Sequence, residues 1–267
     1  MAGVIHASPF SRRGGIMMNF DERLDKVNEN ISLIQKKNGL TFGSDAYLLY
    51  AYMKAKKNAV AADLGSGTGI ISLLALTKQK FSFAYAVEVQ ESFADLIARN
   101  AKENNLNDKI QVVCQDVREL SDKTFGRELD VVFSNPPFMT TDSGFQNRDS
   151  EKFIARHEVY GGIRDFCASA SRLLKYGGSF YVVYRPDRLV DLLSALRESS
   201  LEPKRMTYVY ADCNHAPSLV LIEAKKGGAA GLFLTKPLLL KNADGTDSSD
   251  MKYIYENGAF HEQYDKP

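Results

Sequence analysis

From Ala59 onwards short apolar runs alternate with amphipathic stretches. The β-prone runs are AVAADL (59–64), FAYAVE (83–88), IQVVCQ (110–115), LDVVFS (129–134) and SFYVVY (179–184). Helical patterns lie at about 70–79, 91–104, 163–175 and 186–199; in the second of these, Phe93, Leu96, Ile97 and Ala101 recur at helical spacing. Such alternation predicts a βαβ series, hence a parallel sheet covered by helices. The KYGG stretch at 175–178 predicts a glycine stop for the 163–175 helix. Beyond it, RMTYVYA and SLVLIEA read as strands, and the DCNHAP loop between them is long enough for an antiparallel return at the sheet edge. The expected organisation is a disordered extension over 1–17, a helical cap segment over 18–58, a core over 59–224, and an edge hairpin or lid over 225–267, which contains an ADG turn signal and two short β-like runs.

The strand ends carry the candidate chemistry. After the first strand, DLGSGTG places Asp63, Gly65, Gly67 and Gly69 before a helix, where glycines let the backbone approach a ligand and free N–H groups point at it. A dinucleotide fingerprint is missing, because the third glycine comes one position early, and no Lys-Ser or Lys-Thr follows for a P-loop. Glu88 closes the second strand, where an acid can accept from both ribose hydroxyls of a nucleoside. Asp116 follows the third strand and could accept from the exocyclic amine of that nucleoside's adenine. Asn135 follows the fourth, and Pro136 and Pro137 stop that strand because neither has an N–H to donate. Each feature also has a structural reading: a packing turn for the glycines, a dipole-favoured acid for Glu88, an N-cap for Asp116. Four consecutive strands each delivering a polar group at the carboxyl edge favour the functional one, since ligands of open α/β sheets bind there.

Composition narrows the class. A chain of 267 residues with 44% hydrophobic content can bury a full core, and 34 basic against 33 acidic residues leave no strong global field. Nucleic-acid binding would therefore come from local patches. Cys114, Cys167 and Cys213 are odd in number and widely spaced, which argues against a disulfide framework or a metal site and fits a reducing cytoplasm. No apolar run approaches the roughly 18 residues a spanning helix needs.

DLGSGTG, Glu88, Asp116 and NPPF resemble the motifs of class I S-adenosylmethionine-dependent methyltransferases, NPPF those acting on a planar amine or amide nitrogen. DERLD, FGSDAYLL, IARHE, YRPDRL and LEPKRM extend the likeness over about residues 18–260 and resemble the bacterial tRNA-valine adenine-N6 methyltransferase family, in its Firmicute-type members. The resemblance implies an α/β, Rossmann-like fold with a seven-stranded, mostly parallel sheet, helices on both faces and an antiparallel last strand. It also implies S-adenosylmethionine as cofactor and a tRNA adenosine beside the anticodon as substrate. Asp45 in FGSDAYLL joins the expected cofactor contacts, although Ser44 and Asp45 also read as a helix N-cap. NPPF alone leaves a ribosomal guanine or a protein glutamine open as acceptor. A cofactor-binding RNA-interaction protein without turnover is the alternative of another class, and a nicotinamide dehydrogenase a distant one.

An exocyclic adenine nitrogen is a poor nucleophile, because its lone pair is delocalised into the ring. Acceptors for both N–H groups would favour a tetrahedral nitrogen as positive charge grows on it. The Asn135 side-chain carbonyl and the Pro136 backbone carbonyl are the expected pair, with the prolines limiting backbone freedom and Phe138 offering a stacking face. Expected RNA contacts are Arg148, Arg156, His157, Arg185, Lys204 and Arg205. Acids such as Asp149, Glu151, Glu158 and Asp187 are interleaved with them, so a mixed-charge solvated surface competes with a phosphate track.

Overall fold

The computed structural model describes residues 10–13, 16–37, 43–137 and 161–265. The chain opens with two antiparallel hairpins, β1 (Phe10–Arg13) with β2 (Ile16–Asn19) and β3 (Glu22–Lys26) with β4 (Ser32–Lys36), followed by α1 (Ser44–Tyr52). The alternating part runs β5 (Val60–Leu64), α2 (Ile70–Thr77), β6 (Phe83–Glu88), α3 (Glu91–Glu103), β7 (Ile110–Cys114), β8 (Leu129–Ser134), α4 (Ile163–Leu173), β9 (Leu174–Tyr184) and α5 (Leu189–Glu198). It closes with β10 (Leu201–Tyr210) and β11 (Pro217–Lys226), then β12 (Phe233–Leu234), β13 (Leu238–Leu239) and α6 (Ser249–Asn257). No helix among the described residues is long and apolar enough to cross a membrane.

The main sheet has the order β10–β11–β9–β8–β5–β6–β7, with β12 and β13 each added to β10. Pairs among β5 to β9 are parallel, while β11 runs antiparallel to both β9 and β10. The chain moves outward from β5 to β7 and then returns to place β8 on the other side of β5. The carboxyl ends of β5 and β8 therefore flank a topological switch point, where such sheets bind ligands. Strand alternation explains how both faces are filled: on β8, Val131 and Phe133 join the cluster with α1, α2 and α3, and Val132 between them joins the cluster with α4 and α5.

Three expectations need correction. The KYGG glycines do not cap a helix. α4 already ends at Leu173, and Lys175–Gly178 form an irregularity inside β9, where pairing jumps from Leu129↔Leu174 to Val131↔Ser179. Gly177 is left-handed at φ 74°, and a Cβ on Gly178 would stand 2.9 Å from the Lys175 carbonyl oxygen. The expected tail and helical cap hold the two hairpins as well as α1. Here Glu22 accepts from the two terminal guanidinium nitrogens of Arg99 on α3 at 2.6 and 2.7 Å, so DERLD anchors the second hairpin on the core. At the C-terminus, β12 and β13 pair parallel with β10 and not with each other, and α6 follows.

Candidate active site

The loop after β5 is held from below and from the side. The Gly65 and Ser66 N–H groups donate to the Val87 carbonyl at 2.9 Å, and the Gly67 N–H donates to Glu88 Oε2 at 2.9 Å. The other Glu88 oxygen accepts the Gln90 N–H at 3.0 Å, so this acid joins the glycine loop to the start of α3. Gly69, at φ 80°, has a packing reason: a Cβ there would lie 3.1 Å from Ile97. Gly67 differs, because at φ 56° it has open space where a Cβ would sit. Packing alone therefore accounts for part of the motif, and at Gly67 the backbone borders free volume.

Asp63 is buried at the end of β5. Its Oδ2 accepts from the Ser72 hydroxyl at 2.9 Å, and its Oδ1 has no partner. Burial pushes its carboxyl up to about 7, against the Ser72 hydrogen bond and with a smaller push from the Glu88 charge. Burial also raises Glu88, against the backbone N–H groups it accepts. An unpartnered carboxylate oxygen, a second raised acid on the next strand and a glycine loop facing open space suit a ligand with a cationic ammonium and a ribose diol. S-adenosylmethionine has both groups.

On the other side of the switch point, β8 ends with Ser134 Oγ donating to the Leu64 carbonyl at 2.7 Å, which pins the elbow to β5. Asn135 Nδ2 then donates to Asp45 Oδ2 at 3.0 Å, while Asn135 Oδ1 is buried without a partner. Pro136 is buried and Pro137 half-buried. Asp63, the glycines, Glu88, Asn135 and Asp45 are thus gathered at one sheet edge. Phe138, Arg148, Arg156 and His157 lie outside the described residues.

The remaining expected contacts are placed differently. Asp116, beyond β7, caps a short 3-10 turn by accepting the Arg118 N–H at 2.8 Å and ion-pairs with the Arg118 guanidinium at 2.6 Å. The Arg118 hydrogen bond, against burial, holds its carboxyl below the ordinary range. Its capping reading is the conformation found, and its carboxylate is turned to Arg118. Arg185 stands at the carboxyl end of β9, exposed and paired with Asp187 at 2.6 Å. Arg205 requires correction as an RNA contact, and Lys204 is set beside it. Both lie in the first half of β10, which runs in the same direction as β9, so they sit well back from the carboxyl edge. Lys204 Nζ donates to the Ala229 carbonyl at 2.8 Å. Arg205 is buried, pairs with Glu223 at 3.1 Å, donates to the Tyr52 carbonyl at 2.7 Å and lies 3.9 Å from the centre of the Tyr52 ring. Among the described residues no group of three or more His, Cys, Asp or Glu side chains could hold a metal.

Two supporting residues escaped sequence reasoning. Ser72 holds Asp63 from the first turns of α2. Asn100 accepts the Ile34 N–H at 2.7 Å and donates to the Thr68 carbonyl at 3.0 Å, tying hairpin, α3 and glycine loop together. A polar residue on the apolar face shared by Phe93, Leu96 and Ile97 is the signal that could have found it.

A family model described as methyltransferase small domain matches residues 37–199, more than half of the chain. Curated relatives include a tRNA1(Val) (adenine(37)-N6)-methyltransferase of Bacteroides fragilis, 29% identical over 70% of this chain and 77% of its own length. Another of the same name from Phocaeicola vulgatus is 27% identical over 68% and 76%. Among solved structures, "a predicted O-methyltransferase" from Agrobacterium tumefaciens superposes with a TM-score of 0.66 at 20% identity, covering 81% of this chain and 98% of that one, which is a likeness of fold. With this match spanning both the glycine loop and the Asn135 elbow, the chain belongs to the methyltransferase small-domain family.

Proposed function

We propose that the protein transfers a methyl group from S-adenosylmethionine to the exocyclic N6 amine of an adenosine in the anticodon loop of a tRNA. The relatives named for adenine 37 of a valine tRNA support that substrate. The observation that carries the reading is Asn135 Oδ1, a buried acceptor without a partner at the end of the strand beside the glycine loop. A buried, unsatisfied oxygen is unfavourable unless a ligand donor meets it.

Asp63 Oδ1 would accept from the cofactor's ammonium, and Glu88 from its ribose hydroxyls. Bound S-adenosylmethionine supplies an electrophilic methyl group on a sulfonium. Asn135 Oδ1 and the Pro136 carbonyl would accept the two N–H groups of the amine, favouring a tetrahedral nitrogen whose lone pair points at that methyl. Held by Asp63, the glycine loop and Glu88, the cofactor would supply the methyl group, and the nitrogen held by Asn135 and Pro136 would give up one proton to solvent. Phe138 would stack on the base, a contact worth about 1–3 kcal/mol. An unpaired loop suits the site, since unstacking is cheapest there. Arg148, Arg156, His157 and Arg185 remain the proposed phosphate contacts.

The test incubates the protein with labelled S-adenosylmethionine and separate pools of tRNA, ribosomal RNA and protein, followed by digestion. Label in N6-methyladenosine from tRNA is expected. Label confined to N2-methylguanosine or to protein overturns the substrate, and no transfer to any pool leaves a non-catalytic binder.

A further inference from the structure

Resting on the reading of Asn135 as the amine acceptor, we propose that Asp45 is a positioning residue that fixes the orientation of the Asn135 carboxamide. A carboxamide has two ends of similar shape and opposite hydrogen-bonding character. Turned one way, Asn135 offers the incoming amine an acceptor; turned the other, it sets N–H groups against N–H groups. The chain must select between them. A carboxylate selects, because it only accepts: Asp45 Oδ2, 3.0 Å from Asn135 Nδ2, takes the NH2 end and leaves Oδ1 aimed away, buried and unpartnered.

The mount of Asp45 is rigid. Its other oxygen accepts the Ala46 N–H at 2.9 Å. α1 buries Leu48, Leu49, Tyr50 and Tyr52, and at its far end Lys80 Nζ donates to the carbonyls of Tyr50, Ala51 and Met53 at 2.8, 3.2 and 2.6 Å. Gly43 completes the arrangement, since a Cβ there would stand 2.6 Å from Asp45 Oδ1. The glycine leaves room for the carboxylate to face Asn135. This assigns FGSDAYLL a task in the methyl-transfer step in place of the cofactor contact that the sequence suggested.

The experiment compares Asp45→Ala, Asp45→Asn, Gly43→Ala and Asn135→Ala in the full chain. Asp45→Ala should lower kcat roughly 10- to 100-fold, the range for losing one charge-assisted hydrogen bond. The KM for a tRNA transcript and the Kd for S-adenosylhomocysteine should stay within about twofold of the parent, a range far below that loss. Asp45→Asn keeps a carbonyl acceptor and should recover part of kcat. Gly43→Ala, which displaces the carboxylate without removing it, should reproduce the loss. In the cofactor-free protein, the Asn135 side-chain amide signal, identified by its disappearance in Asn135→Ala, should shift in Asp45→Ala, a change that a cofactor contact alone would not produce. Weaker S-adenosylhomocysteine binding with saturated kcat intact makes Asp45 a cofactor contact and overturns the inference, as does an Asp45→Ala enzyme with parental kinetics. If instead Asn135→Ala itself keeps full turnover, the reading of the active site fails, whatever Asp45 does.

Discussion

Asp63 and Asp130 stand on neighbouring parallel strands, at opposite ends of the sheet, and are treated in opposite ways. Asp130 begins β8 with its oxygens fully engaged: Lys175 and Lys56 pair with it, the latter at 3.0 Å, and the Val60 N–H donates to it at 3.1 Å. Burial pushes its carboxyl up, but the two lysines and the N–H outweigh burial and hold it well below the ordinary range. Asp63 ends β5 with one hydroxyl partner, an orphaned oxygen and a carboxyl raised by burial to about 7. Asp130 at the amino end is satisfied by the chain itself, whereas Asp63 at the carboxyl end keeps one buried oxygen without a partner. Arg205 follows the first pattern although the sequence suggested the second.

The strongest test of that division removes Arg205. Arg205→Met leaves Glu223 buried beside an apolar side chain, and breaking such a pair by deleting one partner costs about 3–5 kcal/mol. Denaturant unfolding should register this loss. If Arg205→Met instead leaves stability intact and weakens tRNA binding, Arg205 belongs with the RNA contacts and the division fails.

The next effect concerns Asp63 and has a definite sign with pH. Its folded-state value, about 7, lies above the unfolded value of about 3.9, so the folded protein keeps a proton that the unfolded chain has lost. That contribution to stability is complete below about 4 and is lost as pH rises through about 7. Asp63→Asn should therefore raise the Tm of the cofactor-free protein at pH 8 relative to the parent, with little change near pH 4. It should also weaken S-adenosylhomocysteine binding by about 10- to 100-fold, the loss of one charge-assisted hydrogen bond. Asp130 has the reverse slope: its lowered value stabilises the fold above the unfolded pKa, and this is lost as pH falls through the folded one. Asp130→Asn should cost about 1 kcal/mol, because its lysine partners are half-exposed and screened, and should leave cofactor affinity unchanged. Calorimetry and melting curves across pH check both variants, and equal cofactor losses in the two would erase the contrast.

The parts of the fold set by period and composition were legible in the chain. FAYAVE and LDVVFS are strands from end to end because β-branched and aromatic residues alternate between two buried faces, and the polar residues that terminate them reach the site edge. The Asp45–Asn135 bond was not legible, since it joins positions 90 residues apart and depends on where α1 packs. Arg205 was misread as part of a basic run, because its partners Glu223 and Tyr52 are distant in sequence and only the folded sheet brings them around its guanidinium. The C-terminal helix had its signals: Ser248 accepts the Met251 N–H at 3.1 Å, and Gly258 closes the helix at φ 62°. Two short apolar runs nearby drew attention to strands instead.

The smallest effect separates the two surviving descriptions of the basic surface. Arg185 stands at the carboxyl end of β9, and its Asp187 partner is exposed, so an RNA phosphate can compete for its guanidinium. Lys204 sits in the half of β10 away from that edge and is occupied by the Ala229 carbonyl. If RNA is held at the carboxyl edge, Arg185→Ala should weaken tRNA binding several-fold and reduce the slope of log affinity against log salt by about one, as for a single lost phosphate contact. Lys204→Ala should change neither quantity. Equal losses from both would extend the RNA footprint around the β10 edge, and no loss from either would make this surface the solvated mixed-charge face that its interleaved acids also allow.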